Sequence, residues 1–256
     1  MKDIEIAAKV GYNSVELWLR DIRDFISHGG TMMDIKNRLD DLGLTFENCI
    51  AFTEWIVDDE AIRQRELNQF RKDLELLSEL DCKRIAASPM GATNGPVIDL
   101  FRVAERYGVV LDIGKEYGIT PVLEVWGHSA NLHALGQAIF VAIESNHPNA
   151  CLLLDIYHLH RGGSGYSGLR LLGHNAVPMF HFNDYPGNIN RTDLTDADRV
   201  FPGDGSAPFS LIAPELKNIN SEMVLSLELF NPDYWKMDAL TLAKLGLQKM
   251  KKVVNS

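Results

Sequence analysis

Four ionisable residues interrupt runs of the chain that are otherwise mostly apolar. They are Glu124 in TPVLEVW, Asp155 in CLLLDIYH, His181 in VPMFHFNDY and Glu228 in MVLSLELF. Runs of this length and composition are typical of buried strands. Carboxylate and imidazole groups can bind a divalent metal ion or exchange protons with a substrate. Such chemistry requires that the strands direct all four side chains to one place.

The alternation of side chains along a strand predicts the direction of each of these groups. In the last run one row is aliphatic and should pack against helices; it consists of Met223, Leu225, Leu227 and Leu229. Glu228 lies on the opposite row, which faces the interior of a barrel. The same alternation turns Glu124, Asp155 and His181 inward, each late in its strand. We therefore expect the four groups to meet at the carboxyl ends of the strands, where active sites of β/α barrels lie.

Short strand-like runs alternate with longer amphipathic stretches along the whole chain. The candidate strands are 14–18, 46–52, 84–90, 120–126, 150–158, 177–185 and 223–230. The candidate helices are 31–42, 58–80, 95–117, 131–146, 165–174, 208–219 and 238–252. This alternation is typical of repeated βα units with a parallel sheet. With 256 residues and 46% hydrophobic content, we predict one domain over residues 1–256 with the α/β (β/α)₈ TIM-barrel fold.

The start of the chain departs from an eight-stranded barrel. Residues 3–9 predict a helix that leads through Gly11 into the strand at 14–18, so the first strand is missing or shifted. We expect a trimmed or shifted start, with removal of a targeting segment as one route to it. A seven-stranded or open barrel is the alternative. A neighbouring subunit would cover the gap in such a barrel, so a homo-oligomer is also an open alternative.

Three carboxylates in one barrel mouth repel one another, which raises their pKa values unless a cation neutralises them. We therefore expect one divalent metal ion held by Glu124, Asp155, His181 and Glu228. Oxygen-rich ligation with a single imidazole favours Mn²⁺ or Mg²⁺ and leaves Co²⁺, Zn²⁺ and Fe²⁺ open. A buried ion pair or a core histidine is the ordinary interpretation of any one of these residues. Their common direction, depth and succession on four strands favour a metal site.

Composition constrains the partners and the compartment. The chain has 35 Asp and Glu against 25 Lys and Arg, a formal net charge of −10, which disfavours nucleic acid as a partner. Cys49, Cys82 and Cys151 lack paired spacing, so we expect buried reduced thiols and a reducing compartment. No apolar run approaches the roughly 20 residues that span a bilayer. We expect a cytoplasmic protein without a membrane partner.

Five segments resemble the xylose isomerase-like sugar phosphate isomerases and epimerases, a family that includes ketose 3-epimerases and inosose dehydratases. The segments are LEVWGHS, LLLDIYHLHRGG, FHFNDYP, DRVFPGDG and LSLELF, in family-like order and spacing over nearly the whole chain. The resemblance implies a metal site on the same four residues that the strand alternation selects. It also implies that His158, three residues after Asp155, and Arg199, just before a Pro-Gly turn, bind the substrate.

The residues themselves leave the roles of His158 and Arg199 open. His158 would lie just past a strand end, either near a substrate oxygen or as a loop histidine in solvent. Arg199 falls in the irregular stretch 185–208, and loops that long inside compact domains are usually functional. It would clamp a substrate oxygen, brace the carboxylates, or be an ordinary solvated arginine.

Three further residues are candidates for the substrate pocket. Trp126 and His128 follow Glu124 closely and would shape the pocket, with core packing as the equal alternative for the tryptophan. Glu16 is late on the inward row of its strand. Glu16 is a candidate to contact the substrate or a residue that binds it, although a structural role is the stronger interpretation.

The resulting prediction is a metal-dependent isomerase or epimerase that acts on a small sugar or polyol. Glu124 and Glu228, on opposite faces of a hydroxy-ketone, would remove and return a proton through an enediolate, which gives epimerisation. Return of the proton to the neighbouring carbon gives isomerisation. Loss of a β-hydroxyl from the same intermediate gives dehydration, as in inosose dehydratase-like lyases. The sequence does not separate these outcomes.

Two alternatives from other functional classes remain open, and the abasic-site endonuclease is the less favoured of them. The superfamily includes abasic-site endonucleases, which carry extra metal-binding histidines on earlier strands, whereas 46–52 and 84–90 contain none. A non-catalytic sugar-binding barrel is the second, because a fold alone does not guarantee chemistry. The complete set of inward carboxylates argues against it, since a binding domain has no physical reason to bury them.

Overall fold

The computed structural model describes residues 1–255. Over this range the strands are β1 Ser14–Trp18, β2 Thr45–Ile50, β3 Arg84–Ala87, β4 Thr120–Glu124, β5 Leu152–Asp155, β6 Met179–His181 and β7 Val224–Ser226. The α-helices are α1 Lys2–Val10, α2 Leu19–Ser27, α3 Met32–Leu42, α4 Glu60–Ser78, α5 Leu100–Glu116, α6 Leu135–Glu144, α7 Ile156–Gly162, α8 Phe209–Ile219 and α9 Ala239–Val254. Short 3₁₀ turns lie at Leu169–Leu171, Asp196–Asp198 and Tyr234–Lys236.

All seven predicted strands are present in the described range, most of them shorter than the sequence pattern suggests. Helix α1 precedes β1, as predicted from the first residues. Most predicted helices are confirmed within a few residues. The alternation of apolar and polar residues therefore located the elements well, because each strand is bounded by a clear change of period.

Two predictions of local structure are wrong, and one helix was not predicted. Residues 150–158 do not form one strand, because Asp155 caps a helix: its Oδ1 accepts the backbone N–H of His158 at 2.7 Å, and α7 begins at Ile156. Residues 165–174 form only a 3₁₀ turn, since Gly165 adopts a positive φ of 64°. Helix α2 was not predicted, because it follows β1 without an intervening turn.

The chain forms two compact units, and the prediction of a single domain stays a prediction. The first unit comprises Met1–Glu124 and Phe140–Ala150, and the second comprises Val125–Ile139 and Cys151–Ser256. In the first unit β1 to β4 pair in parallel and in chain order. Helix α5 packs closely on β4, since a Cβ at Gly114 would lie 2.4 Å from the carbonyl oxygen of Ile119.

In the second unit β5, β6 and β7 also pair in parallel and in chain order. The register places Asp155 beside His181, and His181 beside Ser226. Glu228 follows β7 two residues after Ser226. This pairing brings three of the four predicted ligands to the carboxyl ends of adjacent strands.

The remaining predictions about the chain as a whole concern thiols and membranes. Cys49, Cys82 and Cys151 are buried and free, as predicted. Burial raises the pKa of the Cys49 and Cys82 thiols, the latter to about 12, so these thiols are protonated at neutral pH. Among residues 1–255, no helix combines the length and the apolar character that crossing a bilayer requires.

Candidate metal and substrate site

Asp155, His181 and Glu228 form a buried cluster in the second unit. Each offers one ligand atom, and these atoms lie within 4.8 Å of one another. The Nδ1 atom of His181 lies 3.2 Å from Glu228 Oε2 and 3.8 Å from Asp155 Oδ2. The side chains of Asp155 and His181 are 1% exposed and that of Glu228 is 14% exposed. The cluster is therefore closed to bulk solvent on most sides.

The fourth predicted ligand, Glu124, is the last residue of β4 and is buried. It belongs to the first compact unit, whereas the cluster lies in the second. Its role as a metal ligand and as a catalytic carboxylate stays a prediction. Glu16 is also in the first unit, where it accepts a hydrogen bond from Asn48 Nδ2 at 2.7 Å. This contact fits the structural interpretation of Glu16, and contact with a substrate stays a prediction.

Arg199 is buried against the cluster, so it is not a solvated loop arginine. Its Nη1 donates to Asp155 Oδ2 at 2.9 Å and to Glu228 Oε2 at 2.6 Å. Its Nη2 donates to Asp196 Oδ1 at 2.6 Å. The guanidinium also lies over the ring of Tyr157, 4.6 Å from its centroid. The arginine thus supplies the positive charge that two neighbouring buried carboxylates require.

Burial and the neighbouring charges shift the pKa values of the groups in this cluster. Burial raises the pKa of Asp155, against the opposing effect of Arg199. Burial alone would also raise the pKa of Glu228, but His181 and Arg199 outweigh it and hold that pKa below its ordinary value. Burial alone would lower the pKa of Arg199, yet Asp155 and Glu228 raise it. Glu228 and Arg199 are therefore both charged at neutral pH.

The donor set fits a divalent cation. Two carboxylates and one imidazole are ligands of Mn²⁺, Zn²⁺ and related ions. Ligand atoms bound at about 2.1 Å to one ion lie roughly 3 to 4 Å apart, which is close to the spacing within this cluster. Arg199 already neutralises part of the negative charge of the two carboxylates, so a bound metal ion would compete with the guanidinium for them.

His158 occupies the first turn of α7 and is buried, so it is not a loop histidine in solvent. The backbone N–H of Gly127 points at its Nδ1 at 3.2 Å, and Arg199 Nη2 lies 3.0 Å from its Nε2. A neutral imidazole has only one acceptor nitrogen. Because the backbone N–H is fixed and the arginine side chain is not, we assign the acceptor to Nδ1 and the proton to Nε2. Burial lowers the pKa of His158 well below its ordinary value, which keeps the ring neutral.

Trp126 and His128 lie next to His158 in the second unit. The rings of Trp126 and His128 stack with centroids 5.6 Å apart and an interplanar angle of 22°. The ring of His128 lies 5.8 Å from that of His158. Trp126 is half-buried and His128 is exposed, so the pair extends from the buried histidine towards solvent. Their role in substrate binding stays a prediction.

Three polar residues of the second unit were not among the predicted site residues. Asn183 Nδ2 donates to Asp155 Oδ2 at 2.7 Å, and its position on the inward row with His181 was an available signal. Asp196 pairs with Arg199 from a 3₁₀ turn that had no sequence signal. Asp184 is fully buried, but the alternation placed it on the row that faces away from the site.

Parallel strands alternating with helices, with ionisable groups gathered at the carboxyl ends of three strands, define a protein of the β/α class with an enzyme-like site. Residues 4–253 match the family model described as "Xylose isomerase-like TIM barrel". The chain belongs to this family and has its α/β TIM-barrel fold, as the sequence predicted.

Individual relatives agree with this assignment. The inosose isomerase of Bacillus subtilis (strain 168) is 26% identical over 248 residues, covering 93% of this chain and 86% of the relative. The structure of the IolI protein with a bound zinc atom superimposes with a TM-score of 0.92 at 24% identity, covering 99% of this chain and 92% of the other. L-ribulose 3-epimerase superimposes with a TM-score of 0.79 at 17% identity, covering 98% and 87%. The chain is an enzyme of the sugar isomerase and epimerase type.

Proposed function

We propose that the chain is a divalent-metal-dependent isomerase or epimerase of a sugar or polyol that moves a proton beside a carbonyl group through an enediolate. The observation that carries this proposal is the buried cluster of Asp155, His181 and Glu228, whose ligand atoms lie within 4.8 Å of one another. The inosose isomerases among its relatives favour a cyclic polyol ketone as the substrate.

Asp155, His181 and Glu228, with Glu124 as the fourth ligand, would hold the metal ion. When bound, the ion supplies a Lewis acid that polarises the substrate carbonyl and makes the adjacent C–H more acidic. The donor set favours Mn²⁺ or Mg²⁺. Zn²⁺ is also compatible with it, and the IolI protein is a structural neighbour that carries zinc.

Arg199 and His158 provide two hydrogen-bond donors for the substrate. With the proton on Nε2, the His158 ring and Arg199 Nη2 both present donors, and these atoms are 3.0 Å apart. Two N–H donors that face each other are unfavourable, and a carbonyl or hydroxyl oxygen placed beside them, within hydrogen-bonding distance of both nitrogens, would accept from both. Donors fixed around that oxygen would stabilise negative charge on it as the C–H proton leaves.

Glu228 would accept the proton. Its carboxylate is ionised at neutral pH, and its side chain retains 14% exposure, unlike that of Asp155. Glu124 would act as the second carboxylate. Transfer between two carboxylates on opposite faces gives epimerisation, and return by one carboxylate to the neighbouring carbon gives isomerisation. Elimination of water, as in an inosose dehydratase-like lyase, is the alternative that shares the first step.

A direct test is to incubate the purified protein with a panel of inososes and ketoses after EDTA treatment and after return of Mn²⁺, Mg²⁺ or Zn²⁺. Interconversion of isomers that requires the metal supports the proposal, whereas loss of water supports the lyase alternative. Sugar binding without turnover in every metal would instead indicate a binding barrel. Nicking of DNA at an abasic site would indicate the nuclease.

A further inference from the structure

Asp184 is a fully buried carboxylate that is saturated by backbone N–H groups. Its Oδ1 accepts the N–H of Tyr185 at 2.8 Å and that of Ala207 at 2.9 Å. Its Oδ2 accepts the N–H of Gly203 at 3.0 Å and that of Gly205 at 2.9 Å. Four such bonds satisfy the lone pairs of both oxygens. Three of the four donors belong to one loop, so a single side chain fixes that loop.

The backbone of Asp184 holds the same loop at a second point. Asp184 and Val200 form an isolated antiparallel bridge in which each N–H donates to the other's carbonyl oxygen at 3.0 Å. Val200 directly follows Arg199 in the chain. We call residues 199–207 the Arg199 loop. Asp184 thus anchors this loop at the residue after Arg199 and again at residues 203–207.

The sequence of the loop is adapted to this contact. A Cβ on Gly205 would lie 2.5 Å from Asp184 Oδ1 and 2.3 Å from the carbonyl oxygen of Tyr185. Gly203 has a φ of 84°, in the left-handed region that favours glycine. These two glycines allow the loop backbone to approach the carboxylate closely enough to donate.

Asp184 meets no cationic side chain within the described part of the chain. Burial raises its pKa, and the four backbone donors oppose that effect. A buried carboxylate without a counter-ion costs free energy, so a hydrophobic side chain would suffice if the position served only to fill space. A polar group here has one clear consequence, which is to fix the backbone of the Arg199 loop.

We propose that Asp184 is a positioning residue for Arg199: by binding the backbone of the Arg199 loop, it holds the guanidinium where it contacts the two carboxylates and would contact a substrate oxygen. This inference rests on the proposed function, in which Arg199 binds the substrate. Catalytic donors lose much of their effect when they are displaced by about 1 Å, which is why a fixed loop matters for turnover.

The first test is Asp184→Asn, which keeps the shape but replaces one acceptor oxygen with an NH₂ group that faces N–H donors. We expect faster amide hydrogen exchange in residues 200–207 and a loss in kcat/KM of about 10- to 100-fold, mainly in kcat. Gly205→Ala strains the same contact without changing the carboxylate and should act in the same direction. Gly173→Ala, where a Cβ meets no atom within 4 Å, is the control.

A double-mutant cycle with Arg199→Lys separates positioning from general stability. If Asp184 acts through Arg199, Asp184→Asn costs much less activity in the Arg199→Lys background than in the wild type. A second cycle combines Asp184→Asn with Arg199→Met and measures the unfolding midpoint of the metal-free protein. Its effects should also be non-additive, and this measurement does not depend on enzyme activity. Additive effects in both cycles, or unchanged hydrogen exchange in the Asp184→Asn loop, would overturn the inference. Inactivity of the wild type would reject the proposed function while the exchange and stability arms still decide the role of Asp184.

Discussion

Two buried carboxylate sites of the second unit differ in the nature of their partners. Asp155 and Glu228 share the guanidinium of Arg199, and Asn183 donates an additional hydrogen bond to Asp155. Asp184, by contrast, is bound by four backbone N–H groups. The first site combines the backbone N–H of His158 with side-chain donors that can move, whereas Asp184 is bound by backbone donors alone.

This difference separates a chemical site from an architectural one. A side-chain donor such as Arg199 can be exchanged for a metal ion or a substrate at modest cost in backbone conformation. Backbone donors cannot leave Asp184 without unfolding the loop that carries them. We therefore expect substitutions at Arg199 or in the cluster of Asp155, His181 and Glu228 to change chemistry and ligand affinity, and substitutions at Asp184 to act through the position of the Arg199 loop.

The largest effect should follow loss of the proton acceptor in the first site. Glu228→Gln removes the carboxylate but keeps its shape, so kcat should fall by about 10²- to 10⁴-fold while the protein remains folded. Steady-state kinetics and circular dichroism measure the two properties. Glu222→Gln, at an exposed position, is the matched control. Unaltered turnover in Glu228→Gln would remove Glu228 from the catalytic set.

The next largest effect should follow loss of the guanidinium of Arg199. Arg199→Met should lower kcat/KM by about 10²- to 10³-fold, because a donor to the developing negative charge is lost. Affinity for Mn²⁺ should rise at the same time, because the guanidinium no longer competes for Asp155 and Glu228. Isothermal titration calorimetry measures this affinity, with Arg170→Met at an exposed position as the control. A weaker metal affinity in Arg199→Met would show that the arginine supports the ion and does not compete with it.

A smaller effect is expected for the second donor to the substrate. His158→Gln replaces the Nε2 donor with an amide, and we expect kcat/KM to fall by about 10- to 100-fold with metal affinity little changed. The assay is substrate titration at saturating metal. His174→Gln, in an exposed turn, is the control. A large loss of metal affinity in His158→Gln would instead place His158 in the metal site.

The smallest effect is on the pH dependence of stability in the metal-free protein. Burial lowers the pKa of His158 in the folded state, so the unfolded chain binds more protons below its ordinary value of about 6.5. Stability should therefore fall as the pH drops below about 6.5, and His158→Gln should reduce that slope. Urea unfolding at several pH values gives the slope. An identical slope in the variant would contradict the assignment of a neutral, buried His158.

The alternation of residues predicted the architecture and the gathering of three of the four candidate ligands. Asp155, His181 and Glu228 were selected because a period of two turns them inward at the ends of consecutive strands. The same reasoning missed that Asp155 ends its strand by capping α7, because capping depends on a local backbone conformation and not on a period. The cap places His158, three residues after Asp155, in the buried first turn of α7.

Asp184 could not be predicted for a related reason. The alternation of side chains along its predicted strand places Asp184 on the row that faces away from the site. Its partners are backbone N–H groups, which every non-proline residue carries. Only the glycines at 203 and 205 gave a signal, as residues that permit close approach. The burial of Arg199 could not be predicted either, because the Arg199 loop is irregular and its sequence has no periodic pattern.

The measurement that tests the central claim most directly is deuterium wash-in from D₂O into a panel of inososes and ketoses, with the protein first stripped of metal and then supplied with Mn²⁺. We predict exchange at the carbon beside the carbonyl that requires both the metal and Glu228. Exchange that is equally fast without metal, or a metal-loaded protein that binds these substrates and exchanges no proton, would contradict metal-assisted proton transfer.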